Sequence, residues 1–315
     1  MAAPRISPDP QSAKIDNIRA IGWILTSVVG ASVMNVAVRE LSGQIDPRMI
    51  VLLRAAIIGI GLILMIALWP AYRRGLRFSR PWLHLQRGAL IAMATHLGFY
   101  TIATIPLATA TVLFFMAPIF ATLLAILVHG ETVGVRRWLA IAAGFLGTVI
   151  IMRPGITALH PGMIAALVSS AMFAMALTQS RALSQADGAA SAYVSSVFIT
   201  IVISAPVAAP VLSVPTHALA WAVLALVVLG GAARGYADIE AYRHGEASVL
   251  APILYLRLPL IGTAAYFLYG EVPDAATLTG AAIIIAATLY ISRRAARARS
   301  RQKPPQKPLV DRDKA

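Results

Sequence analysis

Apolar runs of about 20 residues follow one another along almost the whole chain, and this pattern constrains the fold more than any other feature. A helix of that length crosses the hydrocarbon core of a bilayer. Ten runs can be placed, near 20–41, 47–69, 83–103, 107–128, 136–153, 161–181, 190–210, 217–236, 247–269 and 277–292. The breaks between them are short and carry turn residues: Asp46-Pro47, Arg73-Arg74-Gly75, Arg153-Pro154-Gly155, Asp187-Gly188 and Val272-Pro273-Asp274. The break between the third and fourth runs rests on Ile105-Pro106. Composition agrees: 58% of residues are hydrophobic and 13% charged, against about 25% charged in a soluble domain. An ordinary water-soluble enzyme is excluded, and so is a wholly disordered chain. Without cysteine there is no disulfide framework, thiolate metal site or cysteine nucleophile. The expected fold class is an all-α polytopic membrane protein with ten transmembrane helices.

Charge sets the expected orientation. A net charge of +14 would point to nucleic acid in another chain, but nine of the 27 Lys and Arg lie between Arg293 and Lys314, in a tail rather than a groove. With the N-terminus inside, 22 of the 27 fall in inside segments. Only Arg39, Arg48 and Arg153 fall outside, and Arg54 and Arg257 lie within spans. The positive-inside rule then places both termini in the cytoplasm. Trp23, Trp69, Trp82, Trp138 and Trp221 all sit at span ends, where indoles meet the membrane interface. The tails, 1–19 and 294–315, lack apolar periodicity and are expected to be disordered. The basic C-terminal tail is expected to attract anionic lipid, with no nucleic-acid partner.

The chain repeats itself. Pro106 to Glu131 and Glu246 to Glu271 are equally long and both end in Gly-Glu, at an offset of 140. Arg39-Glu-Leu-Ser42 matches Arg181-Ala-Leu-Ser184 at an offset of 142. Two halves are expected, 20–157 and 158–293. Five spans per half is an odd number, so the second half enters the membrane from the opposite side. Inverted repeats of this kind build transporters, with the substrate site near the midplane.

Ten spans in two five-helix halves, Gly-Glu closing spans four and nine, and the run from Ala241 to Pro259 (AYRHGEASVLAPILYLRLP) resemble the EamA branch of the drug/metabolite transporter superfamily over roughly residues 20–292. An Arg early in span two, here Arg54, belongs to the resemblance, although Leu53 precedes it where aromatic residues often stand. The resemblance implies a compact ten-helix fold around a central cavity that moves small organic metabolites across the bacterial inner membrane.

Polar groups at membrane depth are the candidate functional residues. Arg257 lies about ten residues from either end of its span, ~15 Å from both surfaces, beyond the reach of snorkelling. It needs a partner, either a carboxylate or phosphate of a substrate or a structural one such as helix carbonyls. Arg54, ~12 Å deep, has the same two readings. Asn35 in span one can bond a ligand or a neighbouring helix. His96 is the midplane group that titrates near neutrality, a proton-coupling candidate or a structural donor. Tyr100, Phe115 and Tyr255, with Phe114 and Phe173, would wall an organic substrate or simply pack. Pro118, Pro252 and Pro259 interrupt backbone bonding at depth and are the candidate helix-bending residues of spans four and nine.

No reactive constellation, P-loop or zinc motif occurs, so no enzyme activity, cofactor, catalytic residue or metal site is expected, and no ATPase subunit is evident. Asp238, Glu240 and His244 form an ion-pair face rather than a metal site. The function read from the residues is secondary transport of an anionic or zwitterionic metabolite by alternating access, as a monomer or homodimer. The alternative is a membrane scaffold, a sensor or part of a lipid-carrier flippase.

Overall fold

A computed structural model describes residues 17–129, 134–154, 159–244 and 247–302. Gly130-Glu131, Glu246 and Gly155, which entered the repeat and turn readings, lie outside the described residues, as do 1–16 and 303–315. The described chain is helical: α1 Asn17–Leu41, α2 Pro47–Leu68, α3 Pro70–Gly75, α4 Pro81–Thr104, α5 Leu107–Phe114, α6 Ala117–His129, α7 Val135–Met152, α8 Pro161–Asp187, α9 Ala189–Ala208, α10 Ala218–His244, α11 Ala247–Leu254, α12 Arg257–Tyr269 and α13 Ala275–Gln302. Proline opens α2, α3, α4 and α8, where its missing N–H is no loss and its fixed φ suits the first turn. Asp46 caps α2 by accepting the Arg48 N–H at 2.8 Å. The helix α13 continues past the expected span end to Gln302, through an Ala- and Arg-rich run of strong helix formers.

Nine stretches among the described residues are long and apolar enough to cross a membrane. The helix α4, where the third span was expected, has the length, but His84, Gln86, Arg87 and His96 dilute its apolarity. Its histidines and Arg87 face protein, while Gln86 is exposed. Arg87 donates to Ser180 Oγ (2.7 Å), Ser196 Oγ (2.5 Å) and the Ala192 carbonyl (3.0 Å). His84 lies 3.0 Å from the fully buried Asp187 carboxylate and 2.7 Å from Ser195 Oγ. By contrast, Ile60, Leu64, Leu146, Val202, Leu229, Phe267 and Leu268 are exposed on the outside of the bundle. Water would not tolerate so much apolar surface, but lipid matches it.

The helices pair as α1 with α10, α4 with α8, α7 with α13 and α2 with α9. Glycine makes the closest of these contacts possible. A Cβ on Gly30 would stand 2.9 Å from the Gly230 carbonyl oxygen, and one on Gly230 would stand 2.7 Å from that of Gly30. Gly147 and Gly280 repeat the arrangement between α7 and α13, at 2.9 and 2.5 Å. Small-residue contact of this kind supplies packing where lipid removes the hydrophobic drive between helices. The small-residue faces Ala140-x-x-x-Gly144 and Ala282-x-x-x-Ala286 lie on this pair of helices, but Gly144 instead receives Ile119 of α6.

Spans four and nine are each broken. The first stops at Phe114 and resumes at Ala117, and the second stops at Leu254 and resumes at Arg257, at the same offset of 140 as the sequence repeat. Pro118 and Pro259 lie in the first turn of the resumed helices, and their rings oppose continuation through the carbonyls of Phe114 and Tyr255. Pro252 lies inside α11.

Gly230→Val should force α1 and α10 apart and lower the melting temperature in detergent, with a loss of about 1–3 kcal/mol expected of overpacking. Gly22→Ala, where a Cβ meets nothing within 4 Å, should be neutral or stabilising. Equal melting temperatures for both variants would show that the glycine contact does not limit stability.

Candidate functional site

The α1–α10 crossing fixes the level of the site. Gly30 packs on Arg234 and Gly230 on Met34, so the two helices run antiparallel and Asn35 and Gly231 lie within ~3 Å of one depth. Arg54 reaches this level from α2 and lays its guanidinium on the bare backbone of Gly231, where a Cβ would fall 2.6 Å from Nε. The Arg54 ζ carbon stands 5.8 Å from the centre of the Phe99 ring. Its Nε is buried and has no hydrogen-bond partner among the described residues.

Arg257 arrives at the same level from α12, of which it is the first residue. The buried Asn35 amide, set with its oxygen toward Arg257, accepts from Nη2 at 2.6 Å and donates from its nitrogen to the Ala31 carbonyl at 3.3 Å. Arg257 Nε, like that of Arg54, is buried without a partner among the described residues. The orientation is consistent chemistry, because only the oxygen of a carboxamide can accept from a guanidinium.

Arg234 lies one turn beyond Gly231 on α10, within electrostatic range of both Arg54 and Arg257. Its ζ carbon stands 5.5 Å from the centre of the Phe173 ring, and Nε lies 3.6 Å from Asp238. Asp238 also accepts a hydrogen bond from the Ser27 hydroxyl of α1. Arg234 and Arg257 therefore share one carboxylate, itself already engaged by Ser27 and Arg234, while Arg54 lies in electrostatic range of Arg234 and the Tyr193 phenol. The aromatic faces stabilise the cations in part.

The other candidates divide. Phe115 and Tyr255, one at each helix break, stack on each other with centroids 4.9 Å apart and planes at 39°. His96 bonds through Nε2 to Ser204 of α9 at 2.8 Å, and its buried Nδ1 has no partner among the described residues. Tyr100 is 40% exposed on α4, and none of its described contacts joins it to the arginine level. Sequence reasoning placed Arg234 and Asp238 at the inner surface because it ended span eight at 236. The helix runs on to His244, and contacts with Gly30 and Ser27 of α1 set Arg234 and Asp238 against the bundle. The spacing of Arg234 and Asp238, four residues apart, was the signal available. Glu240 and His244 pair at 3.1 Å.

A second cluster lies at the end of the bundle that holds Asp46. Arg39 of α1 donates to the carbonyls of Ile102, Ala103 and Ile105 (2.9, 3.0 and 3.2 Å), which finish α4, and to Glu271 Oε1 at 3.2 Å. Glu271 Oε2 accepts the Leu107 N–H that opens α5 (2.7 Å), so one carboxylate ties α1, α5 and the end of α12 together. Nearby, Asp274 accepts the N–H of Thr277 and pairs with Arg153, contacts that hold its carboxyl below the usual range.

Apolar helix faces turned outward, two broken spans and a buried cation at one of the breaks fit a multi-pass membrane transporter. Comparison with known proteins agrees. The EamA-like transporter family model matches residues 18–153. The chain is 31% identical over 273 residues to an S-adenosylmethionine uptake transporter of Rickettsia bellii, covering 86% of this chain and 92% of that one. It is 31% identical to a riboflavin transporter of Rhizobium johnstonii (69% and 72% covered) and 29% identical to a pseudopaline exporter of Pseudomonas aeruginosa (83% and 92%). A solved crystal structure shares the fold, with a TM-score of 0.61 and 19% identity over 89% of this chain and 98% of that one. The chain belongs to the EamA-like transporter family, within the drug/metabolite transporter superfamily, and moves small metabolites across a membrane.

Asn35→Asp should supply Arg257 with an internal carboxylate, raising the melting temperature in detergent by several degrees and leaving membrane insertion intact. A lower melting temperature would show that Arg257 is already neutralised.

Proposed function

We propose that the chain is a secondary transporter working by alternating access in the bacterial inner membrane, with both termini cytoplasmic, and that its substrate places an anionic group on Arg257. The observation that carries this reading is a guanidinium at the start of the resumed helix α12, bonded on its described side only to a neutral amide. The N-terminus of a half-helix adds its own positive end to that charge, an arrangement suited to an anionic substrate group at a broken span. A guanidinium binds a carboxylate or phosphate through two bonds at once. The relatives are named for dissimilar cargoes and for both uptake and export, so the reading of the substrate rests on the site rather than on the likeness.

Ten spans in two inverted halves, 20–157 and 158–293, belong to the same proposal, with α4 as the tenth. Helix pairing supports them. Matching α1 with α8, α2 with α9, α4 with α10 and α7 with α13 turns the α1–α10 pair into the α8–α4 pair. The same matching returns α2–α9 and α7–α13 to themselves. A two-fold relation of the halves has this signature. The breaks in spans four and nine correspond under it, and Pro118, Pro252 and Pro259 hold those spans bent. With the termini inside, the Arg39–Glu271 cluster lies outside and seals that face in the state described.

The test is a melting-shift screen of the detergent-purified chain with carboxylated, phosphorylated and cationic metabolites, followed by flux in proteoliposomes. Arg257→Lys should keep insertion but weaken binding of an active anion by about tenfold, because the fork is lost. Arg257→Leu should abolish flux while melting as high as the parent. A Leu variant that transports normally removes Arg257 from recognition, and a parent that no small molecule stabilises removes the transport reading of this site.

The outer seal makes a separate prediction. Glu271→Gln loses the ion pair with Arg39, so a cysteine placed in α5 at Ala108 should react faster with a membrane-impermeant thiol reagent added from outside. The native chain has no cysteine to confuse the readout. Unchanged labelling would mean that the carboxylate does not hold this face shut.

A further inference from the structure

The number of unmatched charges at the arginine level narrows the substrate further. Three guanidiniums, from Arg54, Arg234 and Arg257, share that level or lie one turn from it. Asp238 is the carboxylate in range of Arg234 and Arg257, while Arg54 has Arg234 and the Tyr193 phenol in range. Asp238 is 3.6 Å from Arg234 and takes the Ser27 hydroxyl as well, so it is committed to α1 and α10. The remaining two cations approach from different helices, α2 and α12. Each has a buried Nε with no partner among the described residues. The groups they touch are neutral: the Gly231 backbone and Phe99 ring for Arg54, with the Tyr193 phenol in range, and the Asn35 amide for Arg257.

Resting on the transport reading above, we propose that the substrate is an organic dianion, a dicarboxylate or a phosphate ester, held between Arg54 and Arg257. A neutral or monoanionic substrate leaves at least one of the two guanidiniums without a counter-charge in a low-dielectric site, which is unfavourable by several kcal/mol for an isolated ion. A zwitterion fares worse, since its ammonium would need Asp238, already held, and would stand among repelling cations. The same argument sets this chain apart from carriers of cationic metabolites. Arg234 acts as a positioning residue, engaging Asp238 so that Arg257 does not have that carboxylate to itself.

The experiment compares the parent protein, purified in detergent, with succinate and glycerol 3-phosphate against butyrate and glycerol as probes. Both dianions should raise the melting temperature, with half-maximal effect at concentrations at least about tenfold below butyrate, and glycerol should do nothing. Arg54→Gln and Arg257→Gln should each weaken the dianion effect by about tenfold or more and bring it close to that of butyrate. Because the parent comparison needs no variant, a misfolded substitution cannot rescue the proposal. Butyrate as effective as succinate overturns it, as does Arg54→Gln binding succinate normally while Arg257→Gln fails. That second outcome leaves the single-anion reading of Arg257 standing, whereas loss of every probe effect in the parent removes both. Stabilisation by phosphatidylglycerol that succinate and glycerol 3-phosphate do not displace would assign the two guanidiniums to lipid and overturn the proposal.

Discussion

Nothing polar at membrane depth can be left to lipid, and this constraint arranges the bundle. The helix α4 carries two histidines and an arginine where a lipid-facing helix would carry leucine, so it turns them toward α8 and α9. Serines at 180, 195, 196 and 204 and the carboxylate of Asp187 meet them there. Placing α4 in that seam leaves the more apolar helices to cover the surface. The contacts that hold the seam are hydrogen bonds between groups that would otherwise be stranded, so their main effect is to forbid other arrangements.

Against that background the arginine level is an exception. Arg87 is satisfied three times over by protein, and Arg39 is shared among three carbonyls and a carboxylate. Arg54 and Arg257 are equally costly to bury, yet each keeps a buried nitrogen without a described partner. The fold pairs one set of guanidiniums fully and holds another against a glycine backbone and a neutral amide, and the proposed anion site rests on that contrast. Charges of this kind are weak contributors to stability and strong determinants of what binds.

The broken spans connect that chemistry to movement. At both breaks a few residues leave the helical ladder, and Phe115 and Tyr255 meet across the gap. The half-helix beyond the second break carries Arg257 at one end and leads to Glu271 at the other, so the arginine level and the Arg39–Glu271 cluster are joined through one segment, α12. Such a segment can transmit an event at the arginines to the Arg39–Glu271 cluster as a tilt, because the ladder is already interrupted where bending is needed.

Much was legible in the residues. Span length and apolarity dictate membrane-crossing helices, since backbone satisfaction in lipid admits few alternatives. Depth alone marks Arg257, Arg54 and Asn35 as unusual, because position along a helix converts directly to distance from the surface. Paired prolines at 118 and 259 announce the breaks, since a missing N–H and a ring clash are local properties. What the residues did not contain is which helices touch. That Asn35 meets Arg257, that Arg54 rests on Gly231, and that Arg234 and Asp238 lie against α1 follow from the α1–α10 crossing, where two glycines let backbones approach. Local pattern fixes which segments are helical and how deep each side chain lies. Partnership between side chains on different helices depends on packing across more than two hundred residues of sequence separation, and only the tertiary structure decides it.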